Sequence, residues 1–156
     1  MIVKLDEKFR KEVNHLIKEN WAGPVIVTKG IAHDTSNSKG FVSVENQTIT
    51  GYILYEFQAS KCEILVLESK NQNRGIGTAL IEMVKSVAKE NNCTRIWLIT
   101  TNDNIHAIRY YQTHGFDLEA VHINAIKKSR ELKPSIPLIG DNDIPIKHEL
   151  EFSITI

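Results

Sequence analysis

Along the first part of the chain, a short run in which apolar and polar residues alternate is followed by a stretch in which apolar residues recur every three or four positions. The alternation covers residues 2–5 and predicts a strand. Asp6 then precedes apolar residues spaced three and four apart over residues 9–17, and this pattern is typical of a capped amphipathic helix. The chain is therefore predicted to begin with a strand and a helix that ends near Asn20.

Five polar and apolar blocks follow this helix. PVIVTKG predicts a further short strand, and HDTSNSKG predicts a polar loop. FVSVEN, TITGYILYEF and CEILVLES read as three strands joined by short polar turns, which predicts an antiparallel meander. The second and third of these strands are apolar on both faces, so helices are expected to cover the sheet on both sides.

A glycine-rich turn, NQNRGIG, connects the meander to a helix that is predicted to end near residues 91–92. RIWLIT then predicts a strand, so the order is strand, helix and parallel strand. The next helix, IHAIRYYQTH, is expected to stop at Gly115. Three residues can cap its start: Asn102, Asp103 and Asn104.

The last part of the chain predicts a strand at FDLEAVHI, a helix at NAIKKSREL and an alternating strand over residues 146–154. Together with the earlier elements, this order predicts an α/β fold built on a mixed sheet. The length of 156 residues favours one domain over residues 1–156.

The numbers of positive and negative residues argue against some classes of binding partner. Lys and Arg total 19, Asp and Glu also total 19, and no long run of either sign occurs. This argues against partners that are nucleic acids or membrane surfaces, because such binding depends on clustered positive charge. We find no signal-peptide pattern and no run of roughly 20 apolar residues, so we expect a soluble cytoplasmic protein.

The cysteines and histidines do not predict a metal site. Cys62 and Cys93 each lie inside a predicted element without metal-type spacing, which favours buried reduced thiols. The histidines show no paired ligand spacing either. They are His15, His33, His106, His114, His122 and His148.

Three phosphate-binding patterns could account for the turn at Gln72, Gly75 and Gly77. A Walker turn requires Gly-Lys-Ser/Thr, which the chain lacks, and a dinucleotide fingerprint requires a third glycine where Leu80 stands. The third pattern, Q/R-x-x-G-x-G/A between a strand and a helix, is satisfied. Small residues let the backbone approach a diphosphate, and amides at a helix start, with Arg74 nearby, supply hydrogen-bond donors and positive potential.

At this turn the sequence resembles the GNAT superfamily of N-acetyltransferases. NIHAIRYYQTHGF, residues 104–116, is similar to a second signature of that family, about 30 residues further on. The resemblance implies a mixed, mainly antiparallel central sheet with helices on both faces. It also implies acetyl-CoA as the co-substrate, without a metal.

The resemblance assigns the coenzyme contacts. The turn and helix start are expected to hold the pyrophosphate, through Gln72, Asn73, Arg74, Gly75, Ile76, Gly77 and Thr78. The backbone N–H near Leu67 is expected to stabilise the oxyanion. Asn104 is expected to contact the coenzyme, although a helix cap explains it equally well.

Acetyl transfer to an amine requires a base for the amine and an acid for the departing thiolate. Tyr111 occupies the position of the family's tyrosine and is the predicted acid, whereas packing in the core is the alternative. Glu63 lies among apolar residues of a central strand, on the predicted face of Leu65 and Leu67, where burial would raise its pKa. It is the first candidate base, directly or through water, and Glu68 is the second; a structural ion pair is the alternative for Glu63.

The leading hypothesis is an N-acetyltransferase that moves the acetyl group of acetyl-CoA to a primary amine, of a small molecule or a protein, in a ternary complex. No cysteine occupies a motif position for a covalent intermediate. The rival hypothesis is a non-catalytic acyl-CoA-binding sensor on the same fold. The acceptor is not specified by the sequence, and a homodimer stays open because the alternating terminal strand offers an edge for pairing.

Overall fold

The computed structural model describes residues 1–70 and 75–156, and these residues form two compact units. Unit one contains Met1–Pro24, Thr35–Ile96 and Thr155–Ile156. Unit two contains Val25–Asp34 and Trp97–Ile154. The prediction for Gln72, Asn73 and Arg74 therefore lies outside the described residues.

The described residues form nine strands and four α-helices. In chain order they are β1 Ile2–Lys4, α1 Glu7–Trp21, β2 Val25–Thr28, β3 Ile31–Asp34, β4 Lys39–Glu45, β5 Thr48–Gln58, β6 Lys61–Ser69, α2 Ile76–Glu90, β7 Arg95–Thr101, α3 Ile105–Thr113, β8 Asp117–His122, α4 Ala125–Leu132 and β9 Glu149–Thr155. The predicted fold class is confirmed, since the chain is a mixed α/β protein with a large, mostly antiparallel sheet. Within the described ranges, none of the helices has the length and apolar composition needed to cross a membrane.

Unit one is a meander covered by two helices. Its strands lie in the order β1, β4, β5, β6, and each neighbouring pair is antiparallel. The antiparallel meander predicted for β4, β5 and β6 is therefore observed. Helix α1 begins after Asp6, whose carboxylate accepts a hydrogen bond from the Lys8 N–H at 3.0 Å. Val13 and Ile17 form its buried stripe, and the helix ends at Ala22 in the left-handed conformation.

A β-bulge in β6 changes which side chains share a face of the sheet. Leu54 pairs with Val66, but Tyr55 pairs with Ile64, so Leu65 is the extra residue. Partners in an antiparallel pair project from the same face, so the alternation along β6 is reset at this residue.

The bulge corrects the sequence-based placement of Glu63. Glu63 pairs with Glu56 and Glu68 pairs with Tyr52, and Tyr52 and Glu56 are four residues apart on β5. Glu63 and Glu68 therefore project from the same face, and the predicted shared face of Glu63 with Leu67 is wrong. Simple alternation failed here because one inserted residue reverses the face.

The two helices of unit one lie on opposite faces of the meander. A Cβ built on Gly51 would point at Ile76 and Leu80 of α2. Tyr52, the next residue, projects from the other face and meets Asn20 and Trp21 at the end of α1. Helices on both faces, as predicted, are thus observed within this unit.

Unit two contains the strand order β7, β9, β8 and a hairpin of β2 and β3. The prediction of a polar loop was wrong for the start of HDTSNSKG, because Ile31–Asp34 pairs with Val25–Thr28. Lys29 and Gly30 connect the two strands with positive φ values of 50° and 74°, which suit a tight two-residue turn. Pairing with β2, rather than local polarity, makes this segment a strand.

The terminal strand is internal to unit two. β9 begins at Glu149, later than predicted, because the Asn102 side-chain oxygen accepts hydrogen bonds from the amides of Lys147 and His148, each at 2.9 Å. β9 lies between β7 and β8, so both of its edges are paired. The predicted use of this strand as an edge for another chain is therefore wrong.

Two buried carboxylates on β9, Glu149 and Glu151, contact Lys29 at the hairpin turn. Glu149 accepts a hydrogen bond from the Lys29 backbone N–H at 3.1 Å. Glu151 lies 3.2 Å from the Lys29 ammonium and 3.0 Å from Nε2 of His122. Burial is the largest effect on the pKa of Glu149 and raises it. The hydrogen bond from the Lys29 amide and the charges of His122 and Lys29 lower this pKa by less.

We expect opposite stability changes when these two carboxylates are replaced by amides. A raised folded-state pKa means that ionised Glu149 lowers the stability, so Glu149→Gln should raise the free energy of unfolding at pH 7 by about 1 kcal/mol. This gain should vanish below about pH 4, where the unfolded carboxyl is also protonated. Glu151→Gln should lower the free energy by about 1–3 kcal/mol, since Lys29 loses a charged partner.

Chemical denaturation at pH 7 and pH 4 measures both differences. Destabilisation of similar size by both substitutions at pH 7 would contradict the account of Glu149.

Candidate functional site

The turn from β6 into α2 places a glycine and a helix start at one end of the meander. Gly75 precedes α2 in the left-handed conformation, with φ of 75°, and within residues 1–70 and 75–156 no side chain caps the helix. The predicted coenzyme contacts Ile76, Gly77 and Thr78 form the first turn. The first amides of any helix have no carbonyl partner within it, so this end can donate hydrogen bonds to an anion.

Gly51 on β5 brings this helix start close to the end of β6. A Cβ at residue 51 would lie 2.8 Å from Cγ2 of Ile76 and 2.9 Å from the carbonyl oxygen of Glu68. Both distances are shorter than contacts that a real side chain makes. Glycine at position 51 therefore allows both Ile76 of α2 and the backbone of Glu68 to lie this close to β5.

Glu68 borders a small cavity next to this approach. The cavity has a volume of about 40 Å³ and is lined by Leu16, Asn20, Ile49, Gly51, Tyr52, Glu68, Ser69 and Lys70. The Glu68 side chain is half-buried, and burial raises the pKa of its carboxyl. A carboxylate with a raised pKa is a stronger base, which suits it to accept a proton from an amine.

Tyr52 faces Glu68 across the two strands. Its side chain is 2 % exposed, and burial raises the pKa of its phenol to about 12. Hydrogen bonds with the Asn20 and Trp21 side chains lower this pKa, and the charge of Glu68 raises it. The phenol is therefore protonated at physiological pH and can both donate and accept a hydrogen bond.

Glu63 lies at the other end of β6. It is 5 % exposed and pairs directly with Glu56, near the turn that joins β5 to β6. It lies five positions before Glu68, which corresponds to about 16 Å along an extended strand. The structure therefore does not bring the two candidate bases together, although they share a face.

Leu67 is the residue before Glu68 and pairs with Ile53 of β5. Its side chain projects from the face opposite to Glu68, on the side of α2, because Ile53 and Gly51 share a face. The oxyanion role of its N–H stays a prediction.

The two candidates of unit two lie in and before α3. Tyr111 is 8 % exposed and packs with Phe116 and Phe152, at ring distances of 5.4 and 6.0 Å. Asn104 caps α3, since its side-chain oxygen accepts the Ala107 N–H at 3.1 Å. Core packing and capping, the alternatives to both functional roles, are thus observed, and the functional roles themselves stay predictions.

Of the eight described residues that line the cavity, only Glu68 was predicted from the sequence as a site residue. Gly51 could have been identified from the sequence, because a glycine inside an otherwise apolar strand often marks a close backbone approach. Tyr52 and Asn20 could not, because only the strand register and the position of α1 bring them close to Glu68.

Comparison with known proteins gives a consistent result. The Acetyltransferase (GNAT) family model matches residues 6–116. The uncharacterized protein YxbD of Bacillus subtilis (strain 168) is 42 % identical over 140 residues, which cover 88 % of this chain and 87 % of that protein. The uncharacterized protein YdhI of the same strain is 38 % identical over 154 residues, which cover 98 % and 96 %.

A solved structure shows the same fold. A GNAT family acetyltransferase from Elizabethkingia anophelis, with acetyl-CoA bound, aligns with a TM-score of 0.72 at 17 % identity and covers 100 % of this chain and 97 % of its own. The family model and the two relatives span most of the chain. The protein therefore belongs to the GNAT family of acetyltransferases.

Proposed function

We propose that the protein transfers the acetyl group of acetyl-CoA to a primary amine, by direct transfer in a ternary complex. Membership of the acetyltransferase family supports the reaction type, and the structural neighbour with acetyl-CoA bound supports the donor. The observation that carries the proposal is Glu68, a carboxyl whose pKa is raised by burial and which borders a cavity between α1 and strands β5 and β6.

The coenzyme is proposed to bind at the glycine turn. Amides of residues 72–78 donate hydrogen bonds to the diphosphate, and Arg74 adds positive charge. The uncapped, glycine-led start of α2 supports this proposal. We place the acetyl carbonyl at the Leu67 N–H and keep Asn104 as a further coenzyme contact.

Glu68 is proposed as the base, in preference to Glu63. An alkylammonium has a pKa near ~10.4 and must lose a proton before it can attack. Glu68 takes this proton and passes it to solvent, the nitrogen attacks the thioester carbonyl, and the oxyanion forms at the Leu67 N–H. The nitrogen, which is now positively charged, gives its second proton to Glu68. The C–S bond then breaks, and Tyr111 supplies a proton to the coenzyme thiolate.

Direct transfer is supported by the state of the cysteines. Burial raises the pKa of Cys62 to about 12, with smaller contributions from Cys93 and Glu63. Burial also raises the pKa of Cys93. These are the two cysteines of the chain, and both are poor nucleophiles at neutral pH. Buried reduced thiols also fit the proposed cytoplasmic location.

Thiol release in the presence of a panel of amines tests the proposed function. We expect release that depends on both acetyl-CoA and an amine, with an N-acetylated product. Binding of acetyl-CoA without turnover on any amine would overturn the proposal and favour a non-catalytic sensor.

Tyr111→Phe is expected to lower kcat about 10- to 100-fold, because the departing thiolate loses its proton donor. Affinity for acetyl-CoA, measured by calorimetry, should stay nearly unchanged, since the ring still packs against Phe116 and Phe152. Tyr110→Phe, at the neighbouring position, is the matched control. Equal turnover of the two variants and the unmodified protein would remove Tyr111 from the mechanism.

A further inference from the structure

A three-residue connection between β7 and α3 ties the start of α3 to a distant loop of the same unit. It consists of Asn102, Asp103 and Asn104, and Asn104 caps the helix. The Asn102 side chain donates a hydrogen bond to the carbonyl oxygen of Pro145 at 2.9 Å. Together with the bonds that Asn102 accepts from the next two amides of the strand β9 approach, this holds the connection against the loop of residues 136–146.

Asp103 binds the 136–146 loop through a buried carboxylate. The residue is 5 % exposed, and each carboxylate oxygen accepts a hydrogen bond. Oδ1 accepts from the hydroxyl of Thr101 at the end of β7, and Oδ2 accepts from the backbone N–H of Asp141 at 2.9 Å. An asparagine of the same shape offers only one acceptor oxygen, so it cannot accept both bonds. The carboxylate therefore joins β7, the start of α3 and the loop at one point.

Gly140 allows the loop to approach this carboxylate. A Cβ at position 140 would overlap Oδ2 of Asp103 and lie 2.7 Å from Cγ1 of Ile146. A side chain there would therefore force the Asp103 carboxylate or the loop to move. The Gly140 N–H also donates to the carbonyl oxygen of Ile144 at 2.8 Å, which closes the tip of the loop.

The base of the loop is held from α4. Arg130 donates hydrogen bonds to three carbonyl oxygens near its two ends, those of Ile136 at 3.3 Å, Pro137 at 2.7 Å and Ile146 at 2.8 Å. The donors of a guanidinium have fixed directions, so these bonds also fix the direction of the loop. The loop is thus held at its base by Arg130 and at its tip by Asp103.

Asn104 follows Asp103 directly and is the proposed coenzyme contact of this connection. Its side-chain oxygen caps α3, and no described residue forms a hydrogen bond with its side-chain nitrogen. The nitrogen can therefore donate to an amide carbonyl of acetyl-CoA while the oxygen keeps the cap. The bond from the Ile105 N–H to the Asp103 carbonyl oxygen, at 2.9 Å, spans Asn104, so a shift of Asp103 also moves the Asn104 side chain.

We propose that Asp103 is a positioning residue for acetyl-CoA binding, because its contacts with the 136–146 loop direct the Asn104 amide toward the coenzyme. This inference rests on the proposed function, through the contact between Asn104 and acetyl-CoA. Tyr111 lies about two turns further along α3 and has its own packing with Phe116 and Phe152. The effect of Asp103 is therefore on the affinity for the coenzyme and not on the proton transfer.

Asp103→Asn keeps the shape of the side chain but loses one of the two hydrogen bonds. Calorimetry should show an affinity for acetyl-CoA about tenfold lower, and kcat at saturating acetyl-CoA should stay within about threefold. Gly140→Ala, which displaces the carboxylate from the other side, should give the same pattern. Asp141→Asn is the matched control, because it removes a charge from an exposed side chain and keeps the backbone N–H that Asp103 binds. Its affinity should be unchanged.

A double-mutant cycle distinguishes positioning from a purely structural role. Asn104→Ser keeps a side chain that can cap α3 but removes the amide nitrogen. If Asp103 acts through Asn104, Asp103→Asn should lower the affinity by less than about twofold when residue 104 is already serine. A purely structural role would give the same tenfold loss in both backgrounds.

The outcomes separate this inference from the activity beneath it, because the affinity is measured without an amine. Equal losses in the two backgrounds, or an unchanged affinity in Asp103→Asn or in Asn104→Ser, would overturn the inference and leave acetyl transfer standing. If Asp103→Asn does not fold, Gly140→Ala takes its place in the cycle. The expected coupling in a protein that acetylates no amine would support the positioning role and overturn only the proposed activity.

Discussion

Glu68→Gln is expected to lower kcat/KM about 100- to 10,000-fold, the range that a general base contributes. Glutamine keeps the size and polarity of the side chain but cannot accept the proton of the ammonium. Steady-state thiol release at saturating acetyl-CoA, with the amine varied below its KM, measures the loss. Calorimetric affinity for acetyl-CoA should change little, because the carboxyl faces the cavity between α1 and the strands.

Glu63→Gln is the matched control, because Glu63 lies on the same strand and face at the far end of β6. Its kcat/KM should stay within about threefold of the unmodified protein. A large loss in Glu63→Gln, with Glu68→Gln unaffected, would reverse the assignment of the base.

The pH dependence gives an independent check on the same residue. The base acts when deprotonated, and burial raises the pKa of Glu68, so the acidic limb of kcat/KM should lie above the ordinary carboxyl range. This limb should disappear in Glu68→Gln and persist in Glu63→Gln.

Gly51→Ala is expected to lower the free energy of unfolding by about 1–3 kcal/mol and to weaken acetyl-CoA binding at least tenfold. The added methyl group would lie 2.8 Å from Ile76 and 2.9 Å from the Glu68 carbonyl oxygen, so α2 or β6 must move. Denaturant unfolding measures the first effect, and calorimetry with acetyl-CoA measures the second.

Gly75→Ala is the control for Gly51→Ala, because it adds the same methyl group at a glycine without close neighbours among the described residues. A Cβ at Gly75 meets nothing within 4 Å in the described part of the chain, so only the positive φ opposes it. Its stability loss should be about 1 kcal/mol, close to the cost of a left-handed alanine. A larger loss in Gly75→Ala than in Gly51→Ala would contradict the steric account of Gly51.

The fold could be predicted where local patterns decide it. Asp6 predicted the start of α1. The apolar runs of β5 and β6 predicted central strands with helices on both faces. The same patterns missed β3, because its exposed residues become a strand only through pairing with β2. Tertiary pairing outweighed local polarity there.

The candidate site was predictable only in part, for a similar reason. Sequence identified Glu68 and the glycine turn from residue types and spacing. It ranked Glu63 first, because the bulge at Leu65 cannot be read from apolar alternation. Tyr52 was missed since its relation to Glu68 depends on the register between two strands.

Incubation with acetyl-CoA labelled with ¹³C at the acetyl carbonyl, together with the panel of amines, tests the central claim most directly, because carbon NMR identifies the product. The account predicts growth of an amide carbonyl signal at a rate that falls at least about 100-fold in Glu68→Gln. A signal from free acetate alone, or an unchanged thioester signal from coenzyme that calorimetry shows to be bound, would contradict it.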